Sequence, residues 1–213
     1  REERVFVTYN TGDSEALLRE KELLLQKPPI LPENSHRIIH IGRLVKWKKV
    51  DLLMDAFAKV LKEFPDAELV VVGDGPERGS LERKAKALGI KERVLFTGGV
   101  YDPRTIGAYM SASSIYVLAG MGGLSINDAM AYGLPVICSV CDGTERDLVT
   151  HHDNGFFFRE NNADDLFEKI SLLLRDTTLR KRMGEASLRV IEEKINLESV
   201  SNRYLDAFRK IVT

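Results

Sequence analysis

Residues 37–75 run RIIHIGRLVKWKKVDLLMDAFAKVLKEFPDAELVVVGDG, and their reading decides the fold. Arg37 to Gly42 is a short, mostly β-branched apolar run, which reads as a strand. Across Asp51 to Phe64, the residues Leu52, Leu53, Ala56, Phe57, Val60, Leu61 and Phe64 recur at helical spacing. Asp51 suits the N-cap and Pro65 stops the helix. Ala67 to Val72 is a second short strand. Its apolar residues follow one another without alternating with polar ones, as in parallel strands buried on both faces.

The same alternation continues on both sides. A helix from about Glu77 carries Leu81, Ala85 and Leu88 on one face and ends at Gly89. Arg93 to Thr97 and Ile115 to Leu118 read as strands, with a short helix over Pro103 to Ala112 between them. A helix over Leu124 to Tyr132 ends at Gly133. Pro135 to Cys138 and Gly155 to Phe158 are two further strands. The last third is helical, over Ala163 to Arg175, Thr177 to Lys194 and Leu197 to Ile211, with Asn162 as a cap. This order predicts an α/β fold, a Rossmann-like doubly wound parallel sheet with C-terminal helices. Upstream, Val5 to Tyr9 is strand-like and a helix extends to Leu25. The Pro-rich stretch Gln26 to Ser35 then reads as a linker, dividing residues 1–35 from the body at 36–213.

Composition removes several function classes. The chain has 213 residues, with 31 Lys and Arg against 32 Asp and Glu, so no global basic face recommends nucleic acid. Two cysteines build no disulfide framework, and a reducing, cytoplasmic compartment is expected. No apolar run approaches the roughly 20 residues that span a bilayer. The start, Arg-Glu-Glu-Arg without Met, reads as a cut inside a larger protein.

Ligands of open α/β sheets bind beyond the carboxyl ends of the strands. After the first strand comes Gly42-Arg43-Leu44-Val45-Lys46-Trp47-Lys48-Lys49, a basic loop suited either to a diphosphate or to solvent. After the second, Gly73-Asp74-Gly75-Pro76-Glu77-Arg78 lacks the third glycine of a dinucleotide fingerprint and reads as a tight turn. After the fourth, Ala119-Gly120-Met121-Gly122-Gly123-Leu124-Ser125 precedes a helix. This is the architecture of a phosphate site, or else a plain tight connection. Asp128 lies one turn into that helix, where a carboxylate can accept hydrogen bonds from sugar hydroxyls. Cys138-Ser139-Val140-Cys141 has no second pair to make a zinc site. G-x-S-x-G and Walker A motifs are absent, and no Asp-x-Asp pair suggests a metal.

Taken together, Gly42-Arg43-Leu44-Val45, Lys48, Val50-Asp51-Leu52-Leu53, the block Phe64 to Pro76, Val94 to Gly98, Gly123-Leu124 with Asp128 to Ile137, and Asp153-Asn154-Gly155-Phe156 resemble the C-terminal domain of the group 1 (family 4) retaining glycosyltransferases. The blocks come in the family's order and spacing, from about Val5 to the end. The resemblance implies one half of a GT-B fold. Its C-terminal domain holds a UDP- or GDP-type nucleotide-sugar donor, and a missing N-terminal domain holds a glycan or lipid-linked acceptor. It also implies that residues 1–35 end that preceding domain, with Asn10-Thr11-Gly12-Asp13 as its last loop. Leu197 to Ile211 then corresponds to the helix that crosses back onto it.

Residue by residue, the resemblance gives Arg43 and Lys48, after Gly42, the clamp on the departing diphosphate. Phe96, Thr97 and Gly98 fall beside the nucleobase. Gly122, Gly123, Leu124 and Ser125 fall at the distal phosphate and sugar, and Asp128 at the ribose. No metal or other cofactor is implied. The isolated chain is expected to bind donor without turnover, in the cytoplasm, with peripheral membrane attachment left open for the full-length protein. Two departures stand out. Gly120 occupies the position of the family's sugar-contacting acid, and Lys49 stands where Gly is usual. On the sequence alone, a side chain on Gly123 is expected to intrude on the ligand and to meet a positive φ, so Gly123→Val is expected to abolish donor binding more completely than Gly120→Ala, which lies farther from the helix start. The rival readings are a non-catalytic nucleotide-sugar binding module and a different Rossmann-type nucleotide enzyme.

Overall fold

The computed structural model describes Phe6 and residues 8–141 and 143–212. Six strands form one parallel sheet: β1 (Arg37–Ile41), β2 (Glu68–Val72), β3 (Val94–Gly98), β4 (Ile115–Leu118), β5 (Val136–Cys138) and β6 (Gly155–Phe157). Their order is β3-β2-β1-β4-β5-β6, so the chain reverses its direction of travel between β1 and β4. Ile39 pairs with Val70 on one side and with Tyr116 on the other. That reversal leaves a crevice at the carboxyl ends of β1 and β4, where the connecting loops part to opposite faces.

Strand alternation divides the core into two layers. Ile38, Leu69, Val71, Val117 and Ile137 point to one face, beneath α2 (Val50–Glu63), α3 (Arg78–Ala87) and α7 (Ala163–Arg175). Ile39, Val70, Val72, Tyr116 and Val136 point to the other face. There they meet α4 (Pro103–Ser111), α5 (Ser125–Ala131) and α8 (Thr177–Glu193). Phe57 of α2 is fully buried, and its truncation to Ala would cost about 3–5 kcal/mol. α1 (Ser14–Leu24) packs on α4 and α5, and Thr11 donates to the Ile195 carbonyl at 2.7 Å. The linker is tied down by Arg37. This buried guanidinium bonds Pro32 O, Ala112 O and the Glu68 carboxylate at 2.6–2.8 Å.

Local expectations are corrected in three places. Helix α2 begins at Val50 and its cap is Lys49, in the left-handed conformation at φ 50°. Asp51 is therefore inside the first turn, where it meets the helix dipole without capping. Of the strand expected over Val5 to Tyr9, Val5 and Val7 lie outside the described residues; Thr8 and Tyr9 are not in a strand, and Tyr9 has φ 60°. The helix expected over Leu124 to Tyr132 is the seven-residue α5. Elements not foreseen include α6 (Glu145–Leu148) and a 3-10 turn over Lys46–Lys48. α9 (Leu197–Val212) leaves Leu197, Tyr204, Leu205, Phe208 and Ile211 exposed.

Candidate functional site

The loop after β1 is held by the loop after β2. Gly42 N–H donates to Val72 O, Leu44 N–H to Asp74 O, and Glu77 N–H to Leu44 O, at 2.9–3.0 Å. A Cβ on Gly73 would stand 1.9 Å from Gly42 O. The Gly-Asp-Gly turn is therefore glycine-rich because two backbones cross there. This interlock turns Leu44 and Val45 into the core and leaves Arg43 exposed.

Arg43 and Gly42 line an open cavity of about 680 Å³ at the carboxyl ends of β1, β2 and β3. Its far wall is Gly99, Val100 and Tyr101, with Tyr101 90% exposed. Phe96, Thr97 and Gly98 do not line it. Phe96 packs partly buried on the core, Thr97 Oγ1 donates to Gly98 O at 2.9 Å, and Gly98 O accepts from Gly73 N–H. The residues that face the cavity are thus the three that follow β3.

Lys48 joins this cavity to the glycine loop after β4. Its stem passes Gly42: a Cβ built there would lie 3.8 Å from Lys48 Cε and 3.6 Å from His40 Nε2. Its ammonium donates to Met121 O at 2.8 Å and Gly122 O at 2.6 Å. Met121 N–H donates back to Trp47 O at 2.9 Å. Gly120 lies under this contact, and any Cβ on it would meet Trp47 O at 2.0 Å. Gly123 is different. Its φ is not positive, and a Cβ there would meet only Lys48 Nζ, at 3.4 Å. The positive φ expected of Gly123 is therefore not found, and in packing it is Gly120 that has no room for a side chain.

Gly122, Gly123 and Leu124 line a second cavity of about 300 Å³, together with Asn127, Thr144 and Asp147. The backbone N–H groups of Gly122, Gly123 and Leu124 donate to no acceptor among the described residues. Ser125 is engaged elsewhere, its hydroxyl 2.7 Å from the Tyr116 hydroxyl. Asp128 is partly buried and lines neither cavity, and burial pushes its carboxyl up to about 6. His40 is fully buried: its Nδ1–H donates to Val117 O at 3.0 Å and Nε2 has no partner. Burial lowers its pKa to about 4, so the ring is neutral at pH 7.

Ser139, which lies between the two cysteines in sequence, holds the same rim. Ser139 Oγ donates to Ala119 O at 3.0 Å and lies 3.3 Å from Cys141 Sγ, while Cys138 is buried at the end of β5. Among the described residues, no group of three His, Cys, Asp or Glu side chains is placed to hold a metal ion. No helix among them is long and apolar enough to cross a membrane.

The fold is a Rossmann-like α/β domain of the kind that forms the C-terminal half of GT-B enzymes. The sequence matches the family described as "Glycosyl transferases group 1" over residues 22–190, and the chain belongs to that family. It is 32% identical over 182 residues to an uncharacterized glycosyltransferase of Haemophilus influenzae, covering 83% of this chain and 50% of that protein. It is 29% identical over 199 residues to the N-acetyl-alpha-D-glucosaminyl L-malate synthase of Bacillus anthracis, covering 92% and 51%. The chain therefore spans about half the length of these relatives. Among solved structures, Anabaena Alr3699/HepE in complex with UDP superposes at a TM-score of 0.80, with 23% identity over 94% of this chain and 56% of that one. A mutant of Staphylococcus aureus TarM, in complex with Fondaparinux, alpha-GlcNAc-glycerol and UDP, superposes at 0.75, with 22% identity over 85% and 37%.

Proposed function

We propose that this chain is the donor-binding domain of a retaining, family 4 glycosyltransferase, which moves a sugar from a nucleoside-diphosphate sugar to an acceptor. One observation carries the reading. Arg43 and Lys48 lie on the loop after β1 and unspent backbone N–H groups on the loop after β4, the two loops that flank the switch point of the sheet, and Lys48 bridges them through Gly122 O. In the transition state, negative charge grows on the departing diphosphate. Arg43 offers it a planar fork and Lys48 a cation already seated on the loop. These groups neutralise the diphosphate without a metal, so binding survives chelation by EDTA. The nucleobase lies against Gly99 to Tyr101, just beyond Phe96-Thr97-Gly98; the ribose role of Asp128 rests on the family resemblance, since Asp128 lines neither cavity. Uridine is the first base to test, because the neighbours named above were solved with UDP.

The acceptor, a glycan or a lipid-linked sugar, belongs to a preceding domain of which residues 1–35 are the end. The exposed apolar face of α9 suits a return onto that domain. Gly120 favours a second reading, a binding module without transfer, since it leaves the usual acid position empty. Calorimetry with UDP, GDP, ADP and NAD tests the domain's ligand. UDP or GDP should bind and NAD should not, and the reverse result would return the chain to other Rossmann enzymes. Donor hydrolysis by the chain joined to its N-terminal half separates an enzyme from a binding module, and the anomeric configuration of the product tests retention.

A further inference from the structure

The sheet forks between β1 and β4. These strands pair at Ile38–Ile115 and Ile39–Tyr116 and, among the described residues, no further. Beyond that point His40 and Ile41 stay paired to Val71 and Val72 of β2, while Val117 and Leu118 stay paired to Ile137 and Cys138 of β5. His40 stands in the fork. Its ring is fully buried and its Nδ1–H donates to Val117 O at 3.0 Å, so a side chain bridges the two strands where their backbone ladder ends. We propose that His40 is a positioning residue for the diphosphate clamp: its ring sets the spacing of β1 and β4 and turns its unprotonated Nε2 toward Lys48. The inference rests on the donor-site reading above.

Two features of the fork support it. The loops that leave β1 and β4 are joined at Lys48, whose ammonium donates to Met121 O and Gly122 O, so the spacing of the strands decides where that cation stands. The bond to Val117 O also fixes the tautomer, with the proton on Nδ1. Nε2 then carries a lone pair that is buried and has no partner. An unpaired buried acceptor costs stability, and here the cost falls on the side of the ring that faces Lys48. A Cβ on Gly42 would lie 3.6 Å from Nε2 and 3.8 Å from Lys48 Cε, so ring and stem approach each other across a residue with no side chain. The negative pole of a neutral imidazole is thereby turned to the stem of the cation. Burial, and to a smaller extent the Lys48 charge, oppose a proton on that nitrogen. His40 lines neither cavity, so any effect it has on a ligand passes through Lys48.

The experiment is calorimetry on the full chain with UDP and uridine, and with GDP and guanosine, backed by thermal melts. It compares the unaltered protein with His40→Phe, His40→Asn, Lys48→Ala and the double variant His40→Phe with Lys48→Ala. Phe keeps the bulk of the ring and loses both nitrogens, whereas Asn keeps an N–H donor near the place of Nδ1. His40→Phe should weaken the preferred diphosphate about tenfold and leave the matching nucleoside unchanged, and His40→Asn should recover part of that loss. In the Lys48→Ala background His40→Phe should have no further effect, because nothing is left for it to position. Equal loss for diphosphate and nucleoside, the same loss with and without Lys48, or no recovery in His40→Asn overturns the role. Should His40→Phe fail to melt cooperatively, His40→Asn is carried through the same cycle, and its smaller loss should vanish with Lys48→Ala; a loss that persists there overturns the role as well. If the unaltered chain binds neither diphosphate, or Lys48→Ala binds as tightly as the unaltered chain, the donor-site reading fails and this role fails with it. If both of those hold and only the His40 effect is missing, this role alone fails.

Discussion

Gly120 and Gly123 lie three residues apart and are glycine for different reasons. Gly120 supports a backbone crossing, since its Cβ would overlap Trp47 O at 2.0 Å. Gly120→Ala must push the two loops apart and should cost about 1–3 kcal/mol of stability. Gly123→Ala meets only the end of the Lys48 side chain, so it should melt within about 0.5 kcal/mol of the unaltered protein. Thermal melts of the two variants without ligand decide this, and equal destabilisation would contradict the crossing. Sequence could flag both glycines but could not separate them, because the partner of Gly120 lies some seventy residues away. Lys49 is the converse case. It holds a left-handed conformation that suits glycine, with its ammonium paired to Glu160. Lys49→Ala keeps the strain and loses the pair, whereas Lys49→Gly removes the strain. The glycine variant should therefore be the more stable of the two by about 1 kcal/mol in urea denaturation.

At the scale of elements, the strands and longer helices were readable because burial on both faces and helical spacing each leave a long signal. α6, at four residues, is too short for any periodicity. The cavity wall Gly99 to Tyr101 follows β3 directly and could have been found by the same carboxyl-end rule that found Arg43 and Gly123. What no local pattern could supply is the lock between the loops after β1 and β4. Lys48 closes it by donating to Met121 O and Gly122 O. The two residues proposed as the diphosphate clamp should therefore behave differently. Arg43 is exposed, so Arg43→Ala should leave the melting temperature unchanged and weaken nucleoside-diphosphate binding by about 1.5–3 kcal/mol. Arg43→Lys should recover only part of that, because the fork is lost. Lys48→Ala should lower both affinity and stability, since it also frees the glycine loop. Calorimetry paired with melts on the three variants would show this, and a Lys48→Ala melt identical to the unaltered one would mean the lock carries no load.

Across the whole molecule, folding buries two titratable groups of opposite response, His40 fully and Asp128 in part. His40 is neutral in the native state down to about pH 4, while in the unfolded chain it protonates near 6.5. Between those values the unfolded state binds the extra proton, so His40 removes stability as the pH falls from 6.5 to 4. Asp128 has its native carboxyl at about 6 and its unfolded carboxyl near 3.8. The native state binds the extra proton between those values. Its contribution is fully present below 3.8 and is lost as the pH rises through 6. On acidification from 7 to 4.5, His40→Asn should therefore lose less melting temperature than the unaltered chain, and Asp128→Asn should lose more. Binding runs the other way for Asp128, because the ionised form makes the stronger bond to a ribose hydroxyl. Affinity for a nucleotide-sugar should fall from pH 7 to pH 5 in the unaltered chain. It should be lower and nearly flat across that range in Asp128→Asn. The intact nucleotide-sugar is the right probe, since both of its phosphates are esterified and keep their charge over this range, whereas the terminal phosphate of a free diphosphate does not. If the unaltered chain binds the nucleotide-sugar equally at pH 7 and pH 5 while Asp128→Asn melts as described, then Asp128 is a buried structural acid and the ribose is held elsewhere.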